Sequence, residues 1–248
     1  MTLRILSYNI RRGGAGREEP LAAVIRSVNA DVVVLEEATR PAVVERLARE
    51  TGMQDWVSRE GKSLAFMSRQ PVAKFAARQP AISRHAFLEI VPSTASWRVF
   101  GVHLSAVHAA WTERRRLFEL RALLRAVAAS GKGPHVLIGD FNTVAPGDIF
   151  DMRKLPRRLR ALVWLSGGHI RWRTIATVLA AGYVDSFRQL HPNDVGYTLP
   201  TPDPHVRLDY AFVPGAFAQH VRSCEIVRTP EVAQASDHFP LLVELDVP

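Results

Sequence analysis

The order of predicted elements gives the fold class: an α/β sandwich of two sheets with helices outside. Three observations lead there. Strand and helix patterns alternate over the first fifty residues. Residues 53–102 then switch to short runs rich in Val, Phe, Trp and Ile, punctuated by Gly and Pro, with gaps too short for helical crossovers. After residue 110 the helix and strand patterns return, and strands close the chain. The 248 residues, 47% hydrophobic and 23% charged, fit one globular domain spanning 1–248 better than two.

The elements follow from local patterns. Residues 3–8 form a strand ending at Asn9, and Arg11-Arg12-Gly13-Gly14 is a loop. That loop lacks the Gly-Lys-Ser/Thr ending of a P-loop. Leu21, Val24, Ile25 and Val28 have helical spacing. Asp31 to Glu37 is a buried strand ending in two acids, and Pro41 suits the first turn of the next helix. Strands are expected near Trp56 and over residues 63–68, 72–77, 86–91 and 97–102, mostly antiparallel. Residues 111–129 form a long amphipathic helix, with residues 114–116, three arginines, read as a solvated face. Val136-Leu137-Ile138-Gly139 is a short buried strand, followed by Asp140-Phe141-Asn142. The period of two puts Asp140 and Asn142 on one face and Phe141 on the other. Strands at 207–213, 221–227 and 241–245 complete the chain.

Composition narrows the function classes. The single cysteine, Cys224, excludes an internal disulfide framework and a cysteine-rich metal site, and agrees with a reducing, cytoplasmic setting. No stretch has the length of a transmembrane helix, and Thr2-Leu3-Arg4 opens without a signal-peptide pattern. The formal charge of +8 favours an anionic partner, whether nucleic acid, a phosphorylated small molecule or an anionic lipid surface. No protein partner is inferable. Between Met152 and Val184 the chain has seven basic residues and no acid, with Trp164 and Trp172 interleaved. This basic insertion, at about 150–175, fits a solvated helix, a nucleic-acid contact through Arg157 and Arg158, or an interfacial membrane helix.

Polar residues collect where strands end: Asn9, Glu37, His103, Asp140 with Asn142, Asp209, and Asp237-His238. Each alone has an ordinary reading, such as a cap, a turn or a surface pair. A buried strand end with several polar groups is costly unless something uses them. Together the residues mark one site.

As an ordered set, Leu3 to Ile10, Asp31 to Glu37, Gly101 to Leu104, Ile138 to Asn142, Arg207 to Val213 and Ser236 to His238 resemble the successive motifs of the endonuclease/exonuclease/phosphatase superfamily. That group includes pancreatic deoxyribonuclease, abasic-site endonucleases, inositol polyphosphate 5-phosphatases and bacterial sphingomyelinases. The resemblance implies a four-layer α/β/β/α sandwich of two mixed, mostly antiparallel sheets and Mg²⁺-dependent phosphoester hydrolysis, with Mn²⁺ a substitute. It implies that Glu37 is the principal metal ligand, with Asn9 and Asp237 beside it. His238 matches the catalytic histidine and Asp209 its partner acid. Asp140 and Asn142 would lie near the attacking water and the scissile phosphate, with Asn142 and His103 donating to phosphate oxygens. Whether His238 or Asp140 takes the proton from water stays open, as do endo versus exo cleavage and metal number.

Two departures from the motif set matter. Glu36 stands where a Gln is usual, either pointing away or adding charge near the metal. Arg11 and Arg12 follow Asn9 where DNA-cleaving members often carry an acid, which makes Arg11 a candidate substrate contact. Three readings of function remain: a phosphodiesterase acting on nucleic acid, a phosphatase or phospholipase-type hydrolase, and a catalytically silent binding module.

Overall fold

The computed structural model describes residues 1–247 except 81–82, 84–85, 107–109, 166 and 169–170. Part of the basic segment therefore lies outside the described residues. The elements, in chain order, are β1 (Thr2–Asn9), α1 (Glu18–Val28), β2 (Val32–Glu36), α2 (Pro41–Thr51), β3 (Asp55–Val57), β4 (Ala65–Ser68), β5 (Val72–Arg78), β6 (Phe87–Pro92), β7 (Arg98–His103), α3 (Ala110–Ala129), β8 (His135–Asp140), α4 (Arg157–Leu165), α5 (Arg173–Ala180), β9 (Tyr183–Asp185), α6 (Ser186–Leu190), β10 (Asp209–Pro214), β11 (Val221–Ile226), α7 (Val232–Ala235) and β12 (Leu241–Asp246).

The strands form two six-stranded sheets, ordered β11-β12-β1-β2-β4-β3 and β5-β6-β7-β8-β10-β9. Alternating side chains explain why both are buried on two faces. On β1 and β2, Ile5, Val32 and Val34 point into the layer between the sheets, where they meet Ile90, Val99, Ile138 and Val243. Leu6, Tyr8, Val33 and Leu35 point outward onto Leu21, Ile25, Val44 and Leu47 of α1 and α2. On the far side, Leu120 and Leu123 of α3 and Ile175 and Val178 of α5 cover Phe100, Leu137, Phe141 and Phe212. Strands covered on both faces read as continuous apolar runs.

Residues 53–102 are divided between the sheets. β3 and β4 join the first sheet, and β5 to β7 the second. Their mutual pairings are antiparallel. The two parallel pairs are β1–β2, crossed by α1, and β7–β8, crossed by α3. Pro41 opens α2 at its first turn, and Gly52 ends it in the left-handed conformation. The short elements β9, α6 and α7 carry too few residues for a periodic signal.

One reading of charge is corrected. Arg116 of α3 is buried, not solvated. It pairs with Glu113 at 2.9 Å and donates to the Ser105 carbonyl at 2.9 Å. The same Glu113 accepts the Thr174 amide at 2.9 Å, and Glu119 accepts the Ser105 amide at 3.0 Å. A buried arginine between two acids ties the segment after β7 to the start of α5.

Gly139 decides how closely β8 approaches β7. Its φ is +149°, and a Cβ there would lie 1.9 Å from the Val102 carbonyl oxygen. No backbone shift smaller than a strand displacement relieves that contact. Gly139→Ala is expected to lower stability on the order of 3 kcal/mol or to prevent folding, read as the midpoint of urea unfolding. An unchanged midpoint would show that this strand pair tolerates a side chain.

Candidate active site

Register assembles the site. Within the second sheet, His103 of β7 is opposite Asp140 of β8, and Asp140 is opposite Asp209 of β10. In the first sheet Asn9 at the end of β1 is opposite Glu36 at the end of β2. Residues 236–238 lead into β12, the other neighbour of β1. The polar strand ends therefore meet at one edge of the sandwich.

Asp140 is the hub. Its Oδ1 accepts the Asn142 amide at 2.8 Å. Its Oδ2 accepts Asn142 Nδ2 at 3.0 Å and Asn9 Nδ2 at 3.2 Å. His103 Nε2 stands 3.9 Å from the same oxygen. Asn142 Nδ2 also donates to the Leu104 carbonyl at 3.0 Å, so both its protons are engaged within the protein. Asn142 adopts φ +53°, a left-handed residue just after the strand. Across from this hub, Asp209 Oδ2 lies 3.0 Å from His238 Nδ1. Asp140, Asp209 and His238 are buried, and each offers a ligand atom within 4.8 Å of the others.

The two glutamates separate. Glu36 is fully buried; Ser7 Oγ donates to its Oε1 at 2.7 Å, and its Oε2 has no hydrogen-bond partner. Glu37 follows at φ +54°, half-buried, and its Oε2 accepts the Arg12 amide at 2.6 Å. Glu37 and Asp237 are not in the three-residue cluster. Asp237 pairs with Arg11 Nε at 3.2 Å, and Asn9 Oδ1 accepts the Arg11 amide at 2.9 Å. The loop after Asn9 thus wraps the end of β2, with Arg11 and Arg12 both left-handed. Arg157 and Arg158 lie exposed on α4, outside the cluster.

Several residues outside the expected site set support it. Ser236 Oγ donates to the Asn9 carbonyl at 2.6 Å and accepts the His238 amide at 3.3 Å. Arg17 donates to the carbonyls of Ile10, Arg11 and Ala235. Thr198 Oγ1 accepts the Leu208 amide at 3.1 Å, steadying the approach to Asp209. Ser7, two residues before Asn9 on the same strand face, and Ser236, next to Asp237, fall within the motif set; Arg17 and Thr198 lie outside it. The loop before Arg207 also reaches the site: the Thr201 amide donates to the Asp237 carbonyl at 2.9 Å.

The electrostatics are those of a cation-hungry pocket. Burial, then the charge of Asp209, pushes Asp140 up to about 7. Burial and the same neighbour push Glu36 well above the usual carboxylate range. Burial alone would lower His238, but the charge and hydrogen bond of Asp209, helped by Asp140 and Asp237, raise it to about 10. Two carboxyls raised by burial and by neighbouring negative charge, an orphaned buried carboxylate oxygen and a neighbouring carboxamide form an oxygen-rich donor set. Such a set fits a hard divalent cation.

A pH dependence follows. Asp140 rises from 3.8 and His238 from 6.5, so both bind protons more tightly in the folded state. Their stabilising contribution is complete below those unfolded values. It is lost as pH rises through about 7 and about 10. A divalent cation offsets the same repulsion. The thermal shift produced by Mg²⁺ should therefore be larger at about pH 8 than at about pH 5. Equal shifts at both would argue against a cation at these carboxylates.

Comparison with known proteins accords with this geometry. The Endonuclease/Exonuclease/phosphatase family pattern matches residues 6–238. No curated protein matches the sequence. Among solved structures, the 3′ phosphatase NExo from Neisseria, bound to product DNA hairpin, superposes with a TM-score of 0.73. It is 21% identical, over 98% of this chain and 99% of that one. An AP endonuclease from Archaeoglobus fulgidus gives 0.74 at 18% identity, over 99% and 100%. The 3′-5′ exonuclease NExo from Neisseria meningitidis gives 0.72 at 21%, over 98% and 100%. At these identities the likeness establishes the fold, the deoxyribonuclease I-like sandwich expected from the motifs. By the match across nearly its whole length, the chain belongs to the Endonuclease/Exonuclease/phosphatase family of phosphoesterases.

Proposed function

We propose that the protein is a Mg²⁺-dependent phosphodiesterase that hydrolyses nucleic acid. The observation that carries this reading is the buried Asp140–Asp209–His238 cluster at the sandwich edge, with Asn9 bonded into it. Glu37, Asn9 and Asp237 would hold the cation next to the buried carboxylates, to which Asn9 is bonded through Asp140, and Mn²⁺ has the right chemistry to substitute. When bound, the cation polarises a phosphoryl oxygen and neutralises charge developing on it.

The chain's own groups divide the remaining work. Asp140, raised toward neutrality and aimed by Asn142 and Asn9, takes the proton from the attacking water. His238 is oriented and kept protonated by Asp209 through Nδ1, which leaves Nε2 to donate to the phosphate. His103, beside Asp140, offers a further contact to the phosphate. Asn142 acts by positioning Asp140, since both its amide protons are committed.

The net charge of +8 supports an anionic polymer, and one structural neighbour is bound to a product DNA hairpin. A panel of bis-p-nitrophenyl phosphate, p-nitrophenyl phosphate, plasmid DNA and RNA, with Mg²⁺ and with EDTA, tests the reading. Diester and polynucleotide hydrolysis lost in EDTA is expected. Hydrolysis of the monoester alone would favour a phosphatase instead.

A further inference from the structure

The described residues between Thr143 and α5 combine three features. A cavity of about 350 Å³ opens two residues beyond Asn142, walled by Val144, Phe150, Met152 and Trp172. Thr143 Oγ1 donates to the Arg171 carbonyl at 3.1 Å, which fixes this wall beside the strand end that carries Asp140. Next to it, α4 turns Arg157, Arg158, Arg160, Trp164 and Leu165 to solvent, with Trp164 75% and Trp172 51% exposed.

Ion pairing singles out part of this charge. Arg153 is paired with Asp151, and Lys154 with Asp203. Arg157, Arg158, Arg160 and Arg173 have no acidic partner among the described residues. An interfacial membrane helix segregates its basic residues from its apolar face. Here the inward face of α4 is apolar and packed through Val163, and the outward face mixes arginine with tryptophan. Interleaved guanidinium groups and open aromatic faces match alternating phosphates and bases. A duplex would hide its base faces from Trp164 and Trp172.

We propose that this wall seats an unpaired stretch of polynucleotide. One base enters the cavity against Trp172, Phe150 and Met152. The flanking phosphates run along Arg173 and the α4 arginines, and a further base stacks on Trp164. The inference rests on the nucleic-acid reading of the neighbouring site and specifies a single strand as what that site receives.

Fluorescence anisotropy tests it in EDTA, where no metal-dependent cleavage intervenes. The probes are a labelled oligothymidylate and a duplex of equal length. The full-length protein should bind the single strand more tightly. Trp164→Ala with Trp172→Ala should weaken that binding about tenfold. As an independent arm, Arg157→Ala with Arg158→Ala should reduce the salt slope of log K by about 1.4. Equal affinity for duplex and single strand, or full affinity in the folded tryptophan variant, would overturn the inference. So would sedimentation with phosphatidylserine vesicles that oligothymidylate does not compete away. Wild-type protein that cleaves bis-p-nitrophenyl phosphate but shows no single-strand preference refutes only this inference. Single-strand binding without diester cleavage refutes only the proposed catalysis.

Discussion

Asp140→Asn is expected to lower diester turnover about a thousandfold. The substitution removes the only group in the cluster whose protonation falls near neutrality, at about 7, while keeping nearly the same shape. The amide Oδ1 still accepts from the Asn142 backbone, whereas Nδ2 replaces the oxygen that accepts from Asn142 and Asn9, so circular dichroism must show that the variant is folded. The pH dependence is part of the expectation. Wild-type rate should rise with ionisation of Asp140 and fall with deprotonation of His238, whose value is about 10. A bound cation stabilises the carboxylate and disfavours the imidazolium, so both limbs move down from these values. In Asp140→Asn the rising limb should vanish. A variant that keeps the rising limb would transfer the base role to another group.

Arg207→Ala is expected to be the most destabilising of the polar substitutions, by about 3–5 kcal/mol. The side chain is buried. Its guanidinium lies 2.8 Å from Asp185 and 3.0 Å from Asp148, and sits 4.5 Å over the Tyr210 ring. Asp148 also accepts from Arg188 and from the Tyr210 hydroxyl, and its Oδ2 takes the Ala145 amide at 3.2 Å. Removing the cation leaves two buried carboxylates without their main counter-charge. It also frees the loop that follows Asn142. Thermal unfolding should shift down by about 10 °C, with activity falling through misplacement of that loop. Arg207→Lys should recover only part of the loss, because one ammonium cannot reproduce the fork that spans both acids. A melting temperature within about 2 °C of wild type for Arg207→Ala would show that the network contributes little.

Much of the site was legible because strands end in register. An apolar run followed by a polar residue marks a strand end. Neighbouring strands of one sheet then carry His103, Asp140 and Asp209 to the same edge. Period two also put Asp140 and Phe141 on opposite faces, and Phe141 packs against Tyr210 and Phe212. The same rule stopped short at Glu36 and Glu37. Adjacent strand residues face opposite sides, which leaves open which of the two faces the site. Ser7 draws Glu36 into the interior, and a left-handed backbone at Glu37 redirects its carboxylate to the Arg12 amide. A non-glycine residue at positive φ is not visible in a period.

Charge was legible only as local composition. Arg116 sits in a run of three arginines and Arg207 two residues from Asp209, so both read as surface or neighbour pairs. Their burial is set by groups from elsewhere in the fold. Arg116 meets Glu113 one helical turn away and the Ser105 carbonyl, and Arg207 meets Asp148 and Asp185. Burial of a paired arginine depends on tertiary neighbours, which no window of sequence contains.

The proposed metal-dependent diester hydrolysis depends on the Asp140–Asp209–His238 cluster. Its most direct test is the turnover of bis-p-nitrophenyl phosphate in Mg²⁺ by wild-type protein and by folded His238→Ala. The account predicts hydrolysis by the wild type, abolished by chelation, and a loss of at least about a hundredfold in the variant. Wild-type-like turnover in His238→Ala would contradict it.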